Sequence, residues 1–594
     1  MREEMQESTL QFEPEVYERQ LAALIAEIEV LELFDQASYE SVLRRYPKDG
    51  SGFFSKSEII QGFRYLSRKL DWARDEVAFL EKLRMKPVRT LSGVAPVTVL
   101  TKPYPCPGKC IFCPSDVRMP KSYLSDEPGA QRAAQYQFDP FNQSLSRLLT
   151  YHNTGHNVDK AEVIVLGGTW SSYPEAYRIW FVKRCFDALN AFSPETPTPY
   201  VTRPKTAFDF RDMNVEVDGR SMTRSYNSIV AGALDCLEPT VSPLEEADWG
   251  ALELAQKRNE SAVARSVGLV VETRPDNLHL EEVLRTRRLG ATKVQIGYQS
   301  LSDRVLALNR RGHDVADIRR ATKLLRQAGF KIHAHWMPNL LGSTPELDVE
   351  DFERLFDDPD FRPDELKIYP CSLVESAELM GYYERREWLP YSQSELTWVL
   401  TECLRRTPEY CRITRVIRDI PGTDIVTGNK VTNLRQVAEE EIRLRGLESR
   451  DIRAREIRHR SVDPSRLTLR RLDYDTGLGR EVFLQFVTPE DRIAAFLRLS
   501  LPARQIQIPE IESSAMIREV HVYGHLAAIG QRQGARSQHL GLGRRLIRRA
   551  RKIATEKNYR NLAVISAVGT RPYYRRLGFS DGPLYQHLEL NRNR

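Results

Sequence analysis

Cys106, Cys110 and Cys113 stand as C-x3-C-x2-C in PYPCPGKCIFCPSD, directly after the apolar run at 96–100, where a strand should end. Three thiolates in one short loop can each ligate a different iron of a 4Fe-4S cubane, which leaves the fourth iron open to a small molecule. Zinc competes for the same residue type but takes four ligands. No further Cys or His lies between Tyr104 and Leu149. A cluster is therefore the expectation, with a zinc loop or a group of buried thiols as the alternatives.

The elements that must hold this loop follow from the rest of the chain. A length of 594 residues is too great for one core, and roughly two to four domains are expected. With 41% hydrophobic and 28% charged residues the composition is that of a soluble globular protein, and no run approaches the ~18 apolar residues of a membrane span. The opening MREEMQESTLQFEPEVYERQ is acidic and polar, unlike a secretory or transit peptide. Eight cysteines, three of them in one loop, fit a reducing compartment, with the cytoplasm as default. The net charge of +6 neither requires nor excludes a polyanionic partner. Between Arg44 and Arg89, however, cations alternate with Tyr and Phe, as on nucleic-acid surfaces or on a solvated helical face.

Residues 1–90 read as an α-helical N-terminal domain, with a break at Asp49-Gly50-Ser51-Gly52. Residues 91–420 change rhythm. Short β-branched runs at 96–100, 162–166, 268–272, 293–297, 331–335 and 365–369 alternate with helical segments, which predicts a parallel sheet of six strands. Each run ends in a polar or glycine-rich segment. In parallel β/α folds those segments gather on one active face, so KPYPCPGKC, GGTW, TRPD, YQS, WMPN and YPCS should surround one site. An insertion is expected at about 191–250, a charged linker at 421–460, and a β-rich α/β unit at 461–594.

Two further constellations bear on ligands. Gly167-Gly168-Thr169 ends the second run, where glycine lets backbone carbonyls approach an ammonium group. Glu272 and Arg274, in ETRPD, could serve the hydroxyls and carboxylate of a ligand or form a surface ion pair. Near the C-terminus, Gln538-His539-Leu540-Gly541-Leu542-Gly543-Arg544 opens a basic helix after a strand, exposing backbone N–H groups at its positive end to a pyrophosphate. A Tyr573-Tyr574 pair follows, suited either to core packing or to donating a proton to a departing thiolate.

The cysteine loop, with Phe112 before its last cysteine, resembles the radical-SAM enzymes, and the Q-x-x-G-x-G turn with AVISAVGTRPYYRRLGF resembles the GNAT acetyltransferases. In that order the two modules resemble the Elongator protein three family, from about Lys86 to the end, through KPVRTLSGVAPV, GHNVDKAEVIVLGGT, QIGYQSL, RRGH, FRPDELKIYP, RDIRAREI and REVHVYG. The resemblance implies a partial (β/α)6 radical-SAM barrel followed by a C-terminal GNAT domain. It implies Cys106, Cys110 and Cys113 as 4Fe-4S ligands, and Gly167, Gly168, Thr169, Glu272 and Arg274 around S-adenosylmethionine (SAM). For acetyl-CoA it implies Lys160, Glu519, Val520, His521, Val522, Gly541, Leu542, Gly543, Arg544 and Tyr574, with Lys160 and Tyr574 catalytic.

The implied reaction attaches a carboxymethyl-type group to C5 of a tRNA wobble uridine: a SAM-derived radical takes hydrogen from the acetyl methyl of acetyl-CoA, the carbon radical adds to C5, and the thioester is hydrolysed. Implied partners are the tRNA anticodon loop, with the tRNA held by the basic N-terminal helices of residues 1–90 and by the barrel rim, and an electron donor, without a membrane, and a homodimer is one candidate assembly. Two departures stand out: the insertion is longer than its family counterpart, and Asn339 in WMPN replaces the family's usual Asp. The cysteines that many relatives carry before the acetyltransferase module are absent from SRDIRAREI, so a zinc site is not assumed there. The rival readings are a protein lysine acetyltransferase with a structural cluster and a tRNA-binding scaffold.

Overall fold

In the N-terminal unit, helices α1 (Glu18–Val30), α2 (Gln36–Arg45), α3 (Lys56–Lys69) and α4 (Glu76–Leu83) bury a core of their own, including Leu21, Ile25, Ile59 and Phe63. Ser55 caps α3 through a reciprocal pair of hydrogen bonds with Glu58, so a sequence-local signal sets where the helix begins. Many cations of this unit are spent on its own carboxylates: Arg45 meets Glu27, Lys48 meets Glu58, Arg64 meets Glu76, Lys69 meets Glu18 and Arg74 meets Glu29. The basic–aromatic stretch thus presents less uncompensated charge than its composition suggests. The structure, a computed structural model, describes residues 12–31, 34–72, 74–86, 90, 92–193, 225–235, 245–458, 463–503, 505–523 and 541–590.

A seven-stranded, all-parallel half-barrel follows, ordered β1 (Ala95–Leu100), β2 (Lys160–Leu166), β3 (Arg265–Thr273), β4 (Lys293–Gln299), β5 (Lys331–Trp336), β6 (Glu365–Ile368), β7 (Arg412–Arg415). The first six coincide with the expected runs. The seventh is an addition to the (β/α)6 reading: Arg412-Ile413-Thr414-Arg415 carries a single apolar side chain, too little for a strand signal, and is fixed by pairing Glu365 with Arg412 and Leu366 with Ile413. Along β2 the side chains alternate. Ala161, Val163 and Val165 are buried toward the covering helices, while Lys160, Glu162, Ile164 and Leu166 face the concave lumen.

The stretch at 421–460, expected to be a linker, is folded into the core. Helix α5 (Leu434–Leu444) buries Leu434, Ala438 and Ile442 at helical spacing, and Asp451, fully buried, accepts hydrogen bonds from the Ile413 amide (3.1 Å) and from Arg435 (3.3 Å). Its charges looked like those of a connector because they lie on the opposite face of the same helix.

The C-terminal sheet is ordered β8 (Thr468–Thr476), β9 (Gly479–Val487), β10 (Ile493–Pro502), β11 (Ser514–Val522), β12 (Asn561–Val564), β14 (Gln586–Glu589), β13 (Ser580–Asp581). All neighbours are antiparallel except β11 and β12, which pair in parallel only from Ser514–Ile517 to Asn561–Val564 and then part. Helix α6 (Leu542–Glu556) packs across β10 and β11. The two sheets share one continuous core. Arg287 of the barrel donates to the carbonyls of Leu584 (2.9 Å) and Ser566 (2.8 Å), and the Tyr585 hydroxyl donates to Ala328 O (2.9 Å).

Candidate functional site

A cavity of about 520 Å³ opens at the C-terminal ends of β1–β7, lined by Cys106, Cys110, Cys113, Gly168, Thr169, Glu272 and Arg274 among others. They come from the ends of three strands, the cysteines after β1, Gly168 and Thr169 after β2, and Glu272 and Arg274 at the end of β3, so the parallel sheet brings together what the chain separates by up to 168 positions. Cys110 is buried and receives Arg311 Nη1 at 3.0 Å and Arg274 Nη1 at 3.8 Å. The neighbouring Cys113 thiol and these two guanidinium groups hold Cys110 well below the usual thiol range, against the upward push of burial. Thr169 Oγ1 lies 3.7 Å from Cys106 Sγ.

Among the described residues no three His, Cys, Asp or Glu side chains converge as a single-ion site would. The three thiols instead line one cavity, which suits a cubane that takes one cysteine per iron. Soft donors, a guanidinium-stabilised thiolate and an adjoining cavity fit a 4Fe-4S cluster with a small-molecule ligand.

The insertion, which had no assigned role, braces this loop. From its helix Tyr226–Asp235, Asn227 Oδ1 accepts from the Cys106 amide at 2.9 Å and its Nδ2 donates to Cys106 O at 2.7 Å, while Tyr226 donates to Met119 O at 2.8 Å. A side-chain amide that holds both the N–H and the C=O of one residue fixes the direction of that residue's own side chain, here the Cys106 thiol. Asn227→Ala is expected to weaken iron–sulfur binding by about 10–100-fold, the range for lost ligand-orienting partners. Competition with an iron chelator would measure it, and unchanged retention would refute the role. Nothing in the local sequence signalled Asn227, since its partner lies 121 residues away.

Gly167 and Gly168 adopt φ 131° and 77°, a region that glycine tolerates, and a side chain at Gly167 would strike Thr101 Oγ1. The Gly167 carbonyl already accepts from Thr101 (3.1 Å) and Tyr173 (3.2 Å), so Gly167 shapes the turn while Gly168 and Thr169 face the cavity. Glu272 is held above the usual carboxylate range by burial, 3.6 Å from His335 Nδ1. Arg274 lines the cavity, is engaged by Asp276 (3.0 Å) and reaches the Cys110 thiol. Arg311, His335 and Lys367, which also line the cavity, had drawn no notice as site residues, although Arg311 lies within the RRGH stretch.

A second cavity, of about 190 Å³, lies where β11 and β12 part, against the opposite end of the half-barrel. Glu519, Val520, His521 and Tyr574 line it, and Val522 packs beside Gly543. Glu519 is taken up by Lys331 (2.5 Å) and Arg498 (2.8 Å), and burial is outweighed by these cations, which hold its carboxyl low. His521 is pushed down to about 4 by burial, so it is neutral near pH 7. Gly541, at φ 80°, opens α6, Leu542 is buried, and Arg544 follows in the first turn. Lys160 begins β2 on the lumen face and is pushed down by burial, but it does not line this cavity. Gln538, His539 and Leu540 lie outside the described residues. A positive helix end followed by a wedge between parting strands fits a nucleotide thioester.

Family models match residues 238–357 as the Radical SAM superfamily and 363–444 as the Radical_SAM C-terminal domain. A curated relative from Methanocaldococcus infernus, named tRNA uridine(34) acetyltransferase, is 35% identical over 91% of this chain and 92% of its own. Another of that name from Dehalococcoides mccartyi is 36% identical over 84% and 99%. Elongator complex protein 3 from Homo sapiens is 32% identical over 84% and 85%. The solved archaeal Methanocaldococcus infernus Elp3, lacking its N-terminus, superposes with a TM-score of 0.66 at 32% identity, covering 84% of this chain and 99% of that one. With the thiol loop, the parallel half-barrel and the split C-terminal sheet in the same order, this chain belongs to the Elongator complex protein 3 family of radical-SAM proteins.

Proposed function

We propose that this protein modifies the wobble uridine of tRNA as a radical-SAM enzyme, attaching a carboxymethyl-type group at C5 with acetyl-CoA as carbon donor. The observation that carries this reading is the convergence of three thiols, the strand-end glycines and a cation-rich rim on one cavity. Lys121, Lys367, Arg147, Arg415 and Arg418 line it, against Glu127, Glu272 and Asp419. An excess of cations around a deep opening favours a phosphate backbone and a splayed base. The names of relatives support the substrate: proteins matched over most of both chains are named tRNA uridine(34) acetyltransferase.

When bound, the cluster and SAM supply homolytic chemistry able to remove a hydrogen atom from an unactivated C–H bond, which acid–base side chains cannot do. The residues orient and enclose. Asn227, Arg311 and Arg274 fix the thiol loop, and Gly168 and Thr169 leave room beside it. Gly541 to Arg544 and the wedge lined by Val520, His521 and Tyr574 hold the thioester. Burial pushes the Tyr574 phenol up, so it stays protonated and lines the wedge as a neutral hydrogen-bond donor.

Deuterium on the acetyl methyl of acetyl-CoA is expected in the 5′-deoxyadenosine released by reconstituted enzyme with tRNA and reductant. Unlabelled 5′-deoxyadenosine accompanied by modified tRNA would eliminate this route.

A further inference from the structure

The two cavities are the two ends of one lumen. On β1 the upper cavity reaches Pro96 and the lower one Val94; on β6 the upper one reaches Lys367 and the lower one Glu365, adjacent lumen rungs with nothing between. On β2, β3, β4 and β5 one rung separates them: Ile164, Val270, Gln295 and His333. Neither Ile164 nor Val270 belongs to the outer hydrophobic core, although their strand neighbours do. Parallel barrels are ordinarily filled by interlocking branched side chains. This lumen is lined instead by paired charges. Lys293 sits 2.8 Å from Glu162 and 3.1 Å from Glu365, Lys331 lies 3.3 Å from Glu365, and His335 Nε2 meets Gln295 Oε1 at 3.0 Å.

We propose that the half-barrel lumen is the passage by which the acyl-pantetheine end of the thioester passes from the C-terminal module to the thiol-lined cavity, and that Ile164, Val270, Gln295 and His333 form its gate. The inference rests on the reading that acetyl-CoA and SAM react together. That reading creates the problem the lumen solves, because the nucleotide-binding helix end and the thiol loop lie at opposite ends of one barrel. The lower cavity is walled on one side by the parting strands at Ile517–His521 and Val564–Ala567, and on the other by the first lumen rung. A thioester whose nucleotide rests on α6 therefore aims its acyl end into the barrel. A pantetheine arm is a single unbranched chain, and two layers of side chains stand in its way: the ion-paired rung of Glu162, Lys293, Lys331 and Glu365 and, above it, the rung of Ile164, Val270, Gln295 and His333. Lining charges that are already neutralised by one another expose an uncharged arm to no unpaired ion.

Two bulky substitutions on different strands, Val270→Phe and Ile164→Trp, are expected to abolish deuterium transfer from acetyl-CoA to 5′-deoxyadenosine while acetyl-CoA binding and uncoupled SAM cleavage persist. Transfer at the wild-type rate in both would overturn the passage. Failure of transfer in the wild-type protein would instead overturn the underlying reaction, so the two failures are distinguishable. Should either variant lose SAM or acetyl-CoA binding through misfolding, a second readout decides without the cluster. In full-length Gln295→Cys, bromoacetyl-CoA is expected to alkylate the introduced thiol, with protection by excess acetyl-CoA, mapped by peptide mass spectrometry. Absence of alkylation there, with the reagent binding competitively against acetyl-CoA, would overturn the inference.

Discussion

Replacing Cys106, Cys110 and Cys113 together by alanine is expected to abolish iron–sulfur binding, SAM cleavage and formation of the modified wobble nucleoside, while acetyl-CoA binding survives. The loss should be complete rather than graded, because a cluster iron without its thiolate has no protein ligand and radical generation has no substitute among acid–base groups. Cys110 alone should come close to the triple variant, since its thiolate is the one that Arg311 and Arg274 stabilise. Survival of the thioester site is expected because that cavity lies at the other end of the barrel and shares no lining residue with the thiols. Iron and sulfide content, visible absorption and mass spectrometry of tRNA nucleosides measure the three losses separately. The rival lysine acetyltransferase reading predicts undiminished acetyl transfer to protein by the same variant, and product formation at wild-type levels would remove the radical mechanism.

Asp364→Ala is expected to destabilise the chain by about 3–5 kcal/mol, the penalty for leaving buried charges without their partner. Asp364, at the foot of β6, is fully buried against Arg518 of β11 (3.0 Å from Oδ1) and 3.5 Å from Arg498 of β10, with Glu481 of β9 completing the group at 3.0 Å from Arg518. Removing one carboxylate leaves the buried guanidinium groups of Arg518 and Arg498 without it. Removing charge on both sides, as in Asp364→Leu with Arg518→Met, should recover part of the loss, because replacing a buried pair by apolar groups is often neutral. Burial alone would push Asp364 up, but Arg518, Arg498 and Arg326 outweigh it and hold the carboxyl at about 2. A depressed carboxyl gives stability that is present above its unfolded pKa and lost as pH falls toward the folded one, so this contribution should fade between about pH 4 and pH 2. Because the cluster joins both sheets, wild-type unfolding should be a single transition in this region. Separate melting of the barrel and the C-terminal sheet, or a loss under ~1 kcal/mol in the variant, would contradict this account.

Much of the architecture was legible because it rests on local signals. The six apolar runs from β1 to β6 are short, β-branched and bounded by Gly, Pro or polar segments, and each became a strand within a few residues of its expected limits. The strands β8 to β11 showed the same way through alternation. The unforeseen strand β7 and the folded stretch at 421–460 lacked such signals. Ile413 is a lone apolar residue between arginines, and the apolar face of α5 is a stripe of three side chains inside a charged sequence.

The sequence by itself determined the chemistry on offer: three thiols at metal-ligand spacing, glycines where backbone must come close, and a glycine-opened helix for a pyrophosphate, since residue type and spacing are properties of the chain alone. Tertiary structure alone decided which of these groups meet. Asn227 reaches Cys106 across 121 positions, Arg311 reaches Cys110 across 201, and Lys331 leaves its own module for Glu519 across 188, distances over which no sequence period carries information. The lumen belongs to the same class. Lys293, Lys331 and Glu365 each look like the ordinary polar start of a strand, and only parallel pairing in register turns them inward to face one another.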